Sequence, residues 1–408
     1  MLSAFLSRIV QAGELTVITP SGKRQCFGPG GAPSVTVRLH HRALYRKLII
    51  NPDLYLGEAY MDGTLTVEEG SLRDFLDLCT ASVEALDRHP MQRLRQRLGR
   101  PLRYLQQYNP LGRSRANVAH HYDLSAELFD LFLDADRQYS CAYFPDGNES
   151  LEQAQEKKKR HLTAKLLLQP GMRVLDIGSG WGGLALHIAE SAGARVKGIT
   201  LSEEQLHVAQ QRAVRSGLGE RARFELLDYR AEHEVYDRIV SVGMFEHVGV
   251  SHYREFFRTL KGLLKPDGVA LIHAIGRMEP PGQTNPWLRK YIFPGGYCPA
   301  LSEVLAEVEK AGLWVTDIEV LRLDYAETLR EWEQRFAANR EQVRALYDER
   351  FCRMWEFYLN MCEMAFRNGP IMVFQIQLAR QRDAVPSHRN YIAEWERALE
   401  NRANNEIV

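Results

Sequence analysis

The stretch RVLDIGSGWGGLA, residues 173–185, decides how this chain is read. Val174, Leu175 and Ile177 form a short apolar run with a single acid, Asp176, set inside it. A run of this length that ends on glycines reads as a buried strand. It feeds directly into Gly178, Gly180, Gly182 and Gly183, and a helical stretch follows. Glycines at such a turn accept positive φ and let the backbone approach a ligand closely. The helix beginning there turns unpaired N–H groups toward the same place. The spacing is GxGxG, at 178, 180 and 182, rather than the GxGxxG of dinucleotide folds. Taken alone, the loop is compatible with a dinucleotide site or a plain tight turn.

Strand and helix patterns alternate outward from this turn. RVLDIG (173–178), ARVKGIT (194–200), ARFELL (222–227), YDRIVSVG (236–243), GVALIHAIG (268–276), WVTDIEVL (314–321) and VFQIQLAR (373–380) read as strands separated by helices. The expected fold is α/β, a doubly wound seven-stranded sheet. Segments 303–311, 326–341 and 343–367 read as helical additions. Residues 1–80 read as a small α+β unit. LTVIT (15–19) and VTVRL (35–39) alternate like half-buried strands, a Pro/Gly cluster at 28–33 separates them, and 71–88 has helical spacing. The domain plan is 1–87, a linker at 88–115, a main domain at 116–390 and a tail at 391–408.

Lys+Arg and Asp+Glu are equal at 52 each, so no overall charge points to nucleic acid. The local exception is 88–115, with eight arginines and no acid, interleaved with Leu94, Leu98, Leu102, Tyr104 and Leu105. It reads either as a solvated linker helix or as a surface for anionic lipid headgroups, where each basic residue adds roughly 1 kcal/mol. The six cysteines are scattered without CxxC or metal spacing, which predicts reduced thiols and no metal. No apolar run approaches the ~20 residues that span a bilayer. MLSAFLSRIV lacks a basic start with a full apolar core, so no signal peptide is expected and the cytoplasm is the expected place.

The glycine loop, with Asp176 at its leading edge, resembles the first motif of class I S-adenosylmethionine-dependent methyltransferases. Further stretches resemble one family of them, the cyclopropane-fatty-acyl-phospholipid and mycolic acid cyclopropane synthases. They are HHYDLS (120–125), QYSCAYF (138–144), LDIGSGWGGLA (175–185), GITLSEEQ (198–205), YDRIVSVGMFEHVG (236–249), KYIFPGGY (290–297) and DYAETLREW (324–332). LYLGEAYMDGTL (54–65) resembles the N-terminal domain of the longer, phospholipid-acting members. The resemblance implies a class I methyltransferase sheet at 116–390 and an N-terminal lipid-presenting and dimerisation domain. It also implies S-adenosylmethionine and bicarbonate as bound groups. The implied substrate is unsaturated phospholipid at the membrane surface, worked on by a homodimer lying peripherally on the inner membrane.

Residue by residue, the resemblance implies Tyr139 and Ser140 over the cofactor, and Asp176, Gly178, Gly180 and Gly182 at its methionine end. Thr200, Leu201, Ser202 and Gln205 fall by the ribose, with Thr200 standing where generic class I enzymes carry an acid. Asp228, Tyr229 and Arg230 flank the adenine, although Asp228 also reads as an N-cap. Cys141, Glu246, His273, the backbone of Ile275 and Tyr325 surround the bicarbonate. Without the resemblance, His273 reads as a core histidine and Glu246 as a helix-start acid. The family also points to a thiol at Cys362, while helical spacing with Phe357, Met361, Met364 and Phe366 reads as packing.

The chemistry suits these residue types. An alkene is a weak nucleophile, so catalysis rests on positioning. Methyl transfer leaves a carbocation that water would trap, so the pocket must be dry. Aromatic faces can stabilise the cation; Tyr139, Tyr143, Phe144, Trp287, Tyr291, Phe293 and Tyr325 are the candidates. A base within reach must then remove a proton; the resemblance implies bicarbonate for this, with Glu246 accepting the proton of its hydroxyl. The Pro/Gly-rich, aromatic segment 277–300 reads as a lid over the acyl tunnel. Two other readings use the same fold: a sister enzyme giving a methyl- or methylene-branched chain, and a methyltransferase for a small soluble acceptor.

Overall fold

The computed structural model describes residues 2–82 and 124–405. The arginine-rich stretch 88–115, the end of the helix expected at 71–88 and the start of HHYDLS lie outside the described residues. Two compact units result. One comprises residues 2–82, 282–294 and 326–371, the other 124–281, 295–325 and 372–405. The contiguous span 116–390 drawn from sequence is thus interrupted twice.

The first unit holds a four-stranded sheet ordered β2-β1-β3-β4, made of β1 (Gly13–Ile18), β2 (Arg24–Gly30), β3 (Ser34–Leu39) and β4 (Leu65–Glu69). β1 and β3 are parallel, with Leu15 beside Val35 and Val17 beside Val37, and these four side chains join one core with Phe5 and Phe75. β1 and β3 were legible as strands, whereas β2 runs into the Pro/Gly cluster that had read as a separator. It is an edge strand, where a proline's missing N–H costs no ladder bond. Helix Leu72–Ala81 begins at Ser71, whose hydroxyl and the Asp74 carboxylate form a capping box.

The LYLGEAYMDGTL stretch builds helix Pro52–Met61 and leads into β4. Gly57 has no Cβ because Trp287 and Phe357 occupy its place. A Cβ there would lie 2.4 Å from Trp287 Nε1 and 2.8 Å from Phe357 Cε1. Trp287 Nε1 donates to Met61 Sδ at 3.2 Å, and Glu58 accepts from Lys290 Nζ at 2.6 Å and from the Tyr291 hydroxyl at 2.9 Å. Segment 277–300, expected as a lid loop, therefore carries a helix, Pro286–Tyr291, anchored in the first unit. The single helix expected over 343–367 is two, Arg340–Leu346 and Glu349–Asn368. Asp348 separates them and caps the second by accepting from the Phe351 N–H at 2.7 Å.

The second unit holds a seven-stranded sheet ordered β10-β11-β9-β8-β5-β6-β7. Its strands are β5 (Arg173–Ile177), β6 (Arg195–Thr200), β7 (Ala222–Leu226), β8 (Tyr236–Val242), β9 (Leu264–Arg277), β10 (Trp314–Leu321) and β11 (Ile371–Ala379). All seven expected strands are present, and β5 through β9 pair in parallel. Val174 joins the core under helix Gly183–Ser191, while Leu175 and Ile177 join the opposite core with Phe256 and Leu260. Burial on both faces explains why β5 reads as an apolar run rather than an alternation. The order reverses at β5, so the carboxyl ends of β5, β6 and β8 border the crevice where such sheets bind ligands. The stretch 391–408, expected as a tail, instead holds helix Asn390–Asn405, tied to the sheet where Gln377 Nε2 donates to the Tyr391 hydroxyl at 2.7 Å.

Gly57→Ala should destabilise the protein by about 1–3 kcal/mol, because the added methyl must displace Trp287 or the helix. Chemical denaturation reads this as an earlier midpoint; an unshifted midpoint would show that the close approach is not constraining.

Candidate active site

After Ile177 the chain turns through Gly178, Gly180 and Gly182, all at positive φ (82°, 53° and 84°). Gly182 is the N-cap of helix Gly183–Ser191, and a Cβ on it would lie 2.9 Å from Phe224 and 3.0 Å from Ala209. The turn bounds a cavity of about 160 Å³. Asp176, Gly178 and Gly180 line one wall, Thr200, Leu201 and Gln205 a second, Asp228, Tyr229 and Arg230 a third, and Tyr139 and Ser140 close over it. Gly182 and Ser202 stand behind this surface. Ser202 caps helix Glu203–Arg215, accepting from the Gln205 N–H at 3.3 Å.

Two carboxylates in the cavity differ in their surroundings. Asp228 is engaged within the chain: Oδ1 accepts from the Arg230 main-chain N–H at 3.0 Å and from Arg230 Nε at 2.9 Å, and Oδ2 from Nη2 at 2.7 Å. Its capping role is therefore realised while it faces the cavity. Asp176 is buried, and its Oδ2 meets no hydrogen-bond partner among the described residues. Burial pushes its pKa up to about 7, opposed by the nearby charge of Lys158.

Lys158 was not singled out by the sequence reading. Its buried ammonium donates to Gln138 Oε1 at 2.6 Å and to Ser140 Oγ at 2.8 Å. Burial pushes its pKa down to about 8, while Asp134 pulls the other way. Gln155, one turn earlier, donates to the Ser140 carbonyl at 3.0 Å. Helix Leu151–Lys165 thereby clamps the loop that closes the cavity. Buried Leu151, Gln155, Lys158, Leu162 and Lys165 recur at helical spacing. That signal is masked in the sequence by the charged run EKKKR, which reads as a solvated face.

A second polar cluster adjoins the first. Glu246 sits in a 3₁₀ turn, Phe245–His247, just past β8. Met244 and His247, in the same turn, line the cavity. Glu246 Oε1 accepts from the Ile275 main-chain N–H at 2.6 Å, and its buried Oε2 meets no partner among the described residues. Burial pushes its pKa up to about 7, against the stabilising N–H of Ile275. His273 lies two residues before Ile275 on β9, beside Val242 of β8. It is buried, and burial pushes its pKa down to about 3, so the imidazole is neutral. Cys141 is fully buried, its thiol donating to the Ala142 carbonyl at 3.2 Å. Tyr325 follows Asp324, whose carboxylate accepts from the Phe144 N–H at 2.9 Å and so ties this helix start to the 138–144 loop.

Cys362 is on helix Glu349–Asn368 of the first unit, partly buried. Trp287, Tyr291 and Phe293 also belong to that unit, Trp287 with its ring 4.8 Å from Phe357 and Phe293 5.8 Å from Tyr358. Tyr143 stacks on His161 at 4.5 Å.

The unpartnered Asp176 Oδ2, the glycine-bared turn and the helix start beside it suit the ammonium and carboxylate of a bound methionine moiety. Fold and site together define a class I S-adenosylmethionine-dependent methyltransferase. Residues 110–376 match the family described as mycolic acid cyclopropane synthetase, and the chain belongs to that family. Residues 1–88 match a domain of unknown function, DUF7884. The chain is 38% identical over 353 residues to the cyclopropane-fatty-acyl-phospholipid synthase of Escherichia coli K12, spanning 86% of this chain and 89% of that protein. It is 37% identical over 375 residues to the tuberculostearic acid methyltransferase UfaA1 of Mycobacterium tuberculosis, spanning 86% and 84%. The solved structure of mycolic acid cyclopropane synthase CmaA1 complexed with SAH and CTAB is similar at TM-score 0.62 and 36% identity, covering 67% of this chain and 99% of that one.

Asp176→Asn should weaken S-adenosylhomocysteine binding by roughly tenfold or more, the worth of a hydrogen bond to a charged group. Calorimetric titration measures this; unchanged affinity would remove Asp176 from the cofactor site.

Proposed function

We propose that this chain transfers a methylene from S-adenosylmethionine to the cis double bond of unsaturated phospholipid acyl chains, closing a cyclopropane ring. The observation that carries the reading is Glu246: a buried carboxyl beside the cofactor cavity, tethered at one oxygen and open at the other. Methyl transfer to an amine or hydroxyl releases its proton from nitrogen or oxygen, where water can take it up. Ring closure needs such a group, because a proton must leave the newly added carbon.

Asp176, the glycine turn and Tyr139–Ser140 would hold S-adenosylmethionine, which when bound supplies an electrophilic methyl group. Lys158 keeps the Ser140 loop closed, excluding water that would trap a carbocation. Glu246 Oε2 would be the final acceptor of the proton released in ring closure. Neutral His273 and the Tyr325 hydroxyl donate toward a small oxyanion. The family resemblance supplies bicarbonate for that place, and when bound it would supply the basic oxygen for deprotonation. With the phospholipid substrate go a homodimer and a peripheral position on the inner membrane, carried by the same resemblance, and a membrane-facing role for 88–115, carried by its eight arginines.

The likeness to a tuberculostearic acid methyltransferase favours a second reading, in which the same cation ends as a branched chain. Ozonolysis and mass spectrometry of lipids from vesicles incubated with the protein separate the two. A ring resists ozone, a methylene branch is cleaved, and a saturated methyl branch is heavier by a pair of hydrogens.

Glu246→Gln should leave S-adenosylhomocysteine binding intact and cut turnover on the order of 100-fold or more; normal turnover would remove Glu246 from the mechanism. A carboxyl with a pKa of about 7 is protonated, and unable to accept, below that value. Activity should therefore rise with pH to about 7 and flatten above it. A pH profile without that limb would contradict the assignment. Neutralising Arg93, Arg95, Arg97 and Arg100, which lie outside the described residues, should weaken binding to anionic vesicles in a salt-sensitive way. Sedimentation with vesicles measures it, and unchanged binding would leave 88–115 a plain linker.

A further inference from the structure

His273 is held from behind by a line of buried polar side chains. Its Nδ1 lies 3.2 Å from Nε2 of Gln375, on β11. Gln375 is fully buried, and its Oε1 accepts from Lys165 Nζ at 2.6 Å. Lys165, equally buried, also donates to Glu319 of β10, and Asp317 lies 3.8 Å away. Glu319 in turn meets His161 Nε2 at 2.6 Å, and His161 Nδ1 meets Glu396 at 2.7 Å. Burial lowers the proton affinity of Lys165, and the carboxylate of Glu319 works against that loss.

Donor and acceptor chemistry fixes each link. An ammonium only donates, so the Gln375 atom facing Lys165 is its oxygen. An amide orientation that is otherwise ambiguous is thereby determined. The amide NH₂ then faces His273, and it too only donates. Nδ1 of His273 is therefore the bare nitrogen of the ring, and the proton of the neutral imidazole sits on Nε2.

We propose that Gln375, oriented by Lys165 and Glu319, is a positioning residue that locks His273 as the Nε2–H tautomer. His273 is then a fixed hydrogen-bond donor to the oxyanion and is barred from acting as the base, which leaves proton acceptance to Glu246. The inference rests on the oxyanion reading of the site given above. It resembles the way a buried partner fixes the tautomer of a metal-bound histidine. Here the partner is a donor, so the opposite ring nitrogen keeps the proton.

The test is the ring ¹⁵N spectrum of the full-length protein labelled at histidine, together with turnover on unsaturated vesicles at varied bicarbonate. The unaltered protein should show His273 with a bare Nδ1 and a protonated Nε2. Gln375→Glu puts an acceptor where the donor stood and should protonate Nδ1. It should lower turnover roughly 10- to 100-fold and raise the bicarbonate needed for half-maximal rate, with S-adenosylhomocysteine affinity unchanged. Gln375→Met removes the donor without adding an acceptor and should give a mixture of tautomers and a smaller loss. A protonated Nδ1 in the unaltered protein overturns the proposal, and so does Gln375→Glu with unaltered ring shifts and rate. The spectrum of the unaltered protein decides the tautomer by itself should Gln375→Glu fail to fold. Turnover indifferent to bicarbonate, with the expected tautomer present, removes the oxyanion reading and leaves the lock standing.

Discussion

A hydrogen bond from the main-chain N–H of Ile275 helps the Glu246 carboxyl sit buried. Burying a carboxylate is costly, and one N–H recovers only part of that cost. The result is a group poised near neutrality rather than fully ionised, with one oxygen still seeking a proton or a partner. Under the proposed function, a proton acceptor of this kind is useful only if the substrate is brought to it and water is kept away. The rest of the second unit can be understood as meeting those two demands.

The sheet meets the first. Parallel β5, β6 and β8 end at one crevice, the glycine turn after β5 opens it to a cofactor, and the turn after β8, which also carries Glu246, places Met244 and His247 in the cavity wall. Buried polar side chains meet the second. Lys158 and Gln155 hold the Ser140 loop from one helix face, and Lys165 on the same helix reaches the Gln375–His273 pair. One amphipathic helix, apolar at Leu151 and Leu162 and cationic at Lys158 and Lys165, thus serves both the cofactor wall and the polar cluster. Such networks carry weight because each member left unpaired in a low-dielectric interior would be expensive.

Much of this was legible in the chain itself, for physical reasons. Strands β5, β8, β9 and β11 are found from sequence because strands covered on both faces read as apolar runs, while β7 is legible by its alternation. The glycine turn is legible because its conformation excludes other residues. β2 was missed since its glycines and proline mimic a turn, and only its edge position makes them tolerable. The break at Asp348 was missed because a capping acid looks like any helix-surface acid until its N–H partner is known. Motif resemblance pointed to Asp176, Asp228, Glu246 and His273. Lys158, Lys165 and Gln375 were not seen, because their partners lie far off in sequence. Only the folded chain shows that a lysine in a charged run is turned inward.

The central claim is that the carbon delivered to the lipid gives up a hydrogen in this site. Incubation of unsaturated phospholipid vesicles with methyl-deuterated (CD₃) S-adenosylmethionine reads this directly in the product mass. A lipid carrying CD₂, with one deuteron lost to solvent, is the expected result. A lipid that retains the intact CD₃ group would contradict it.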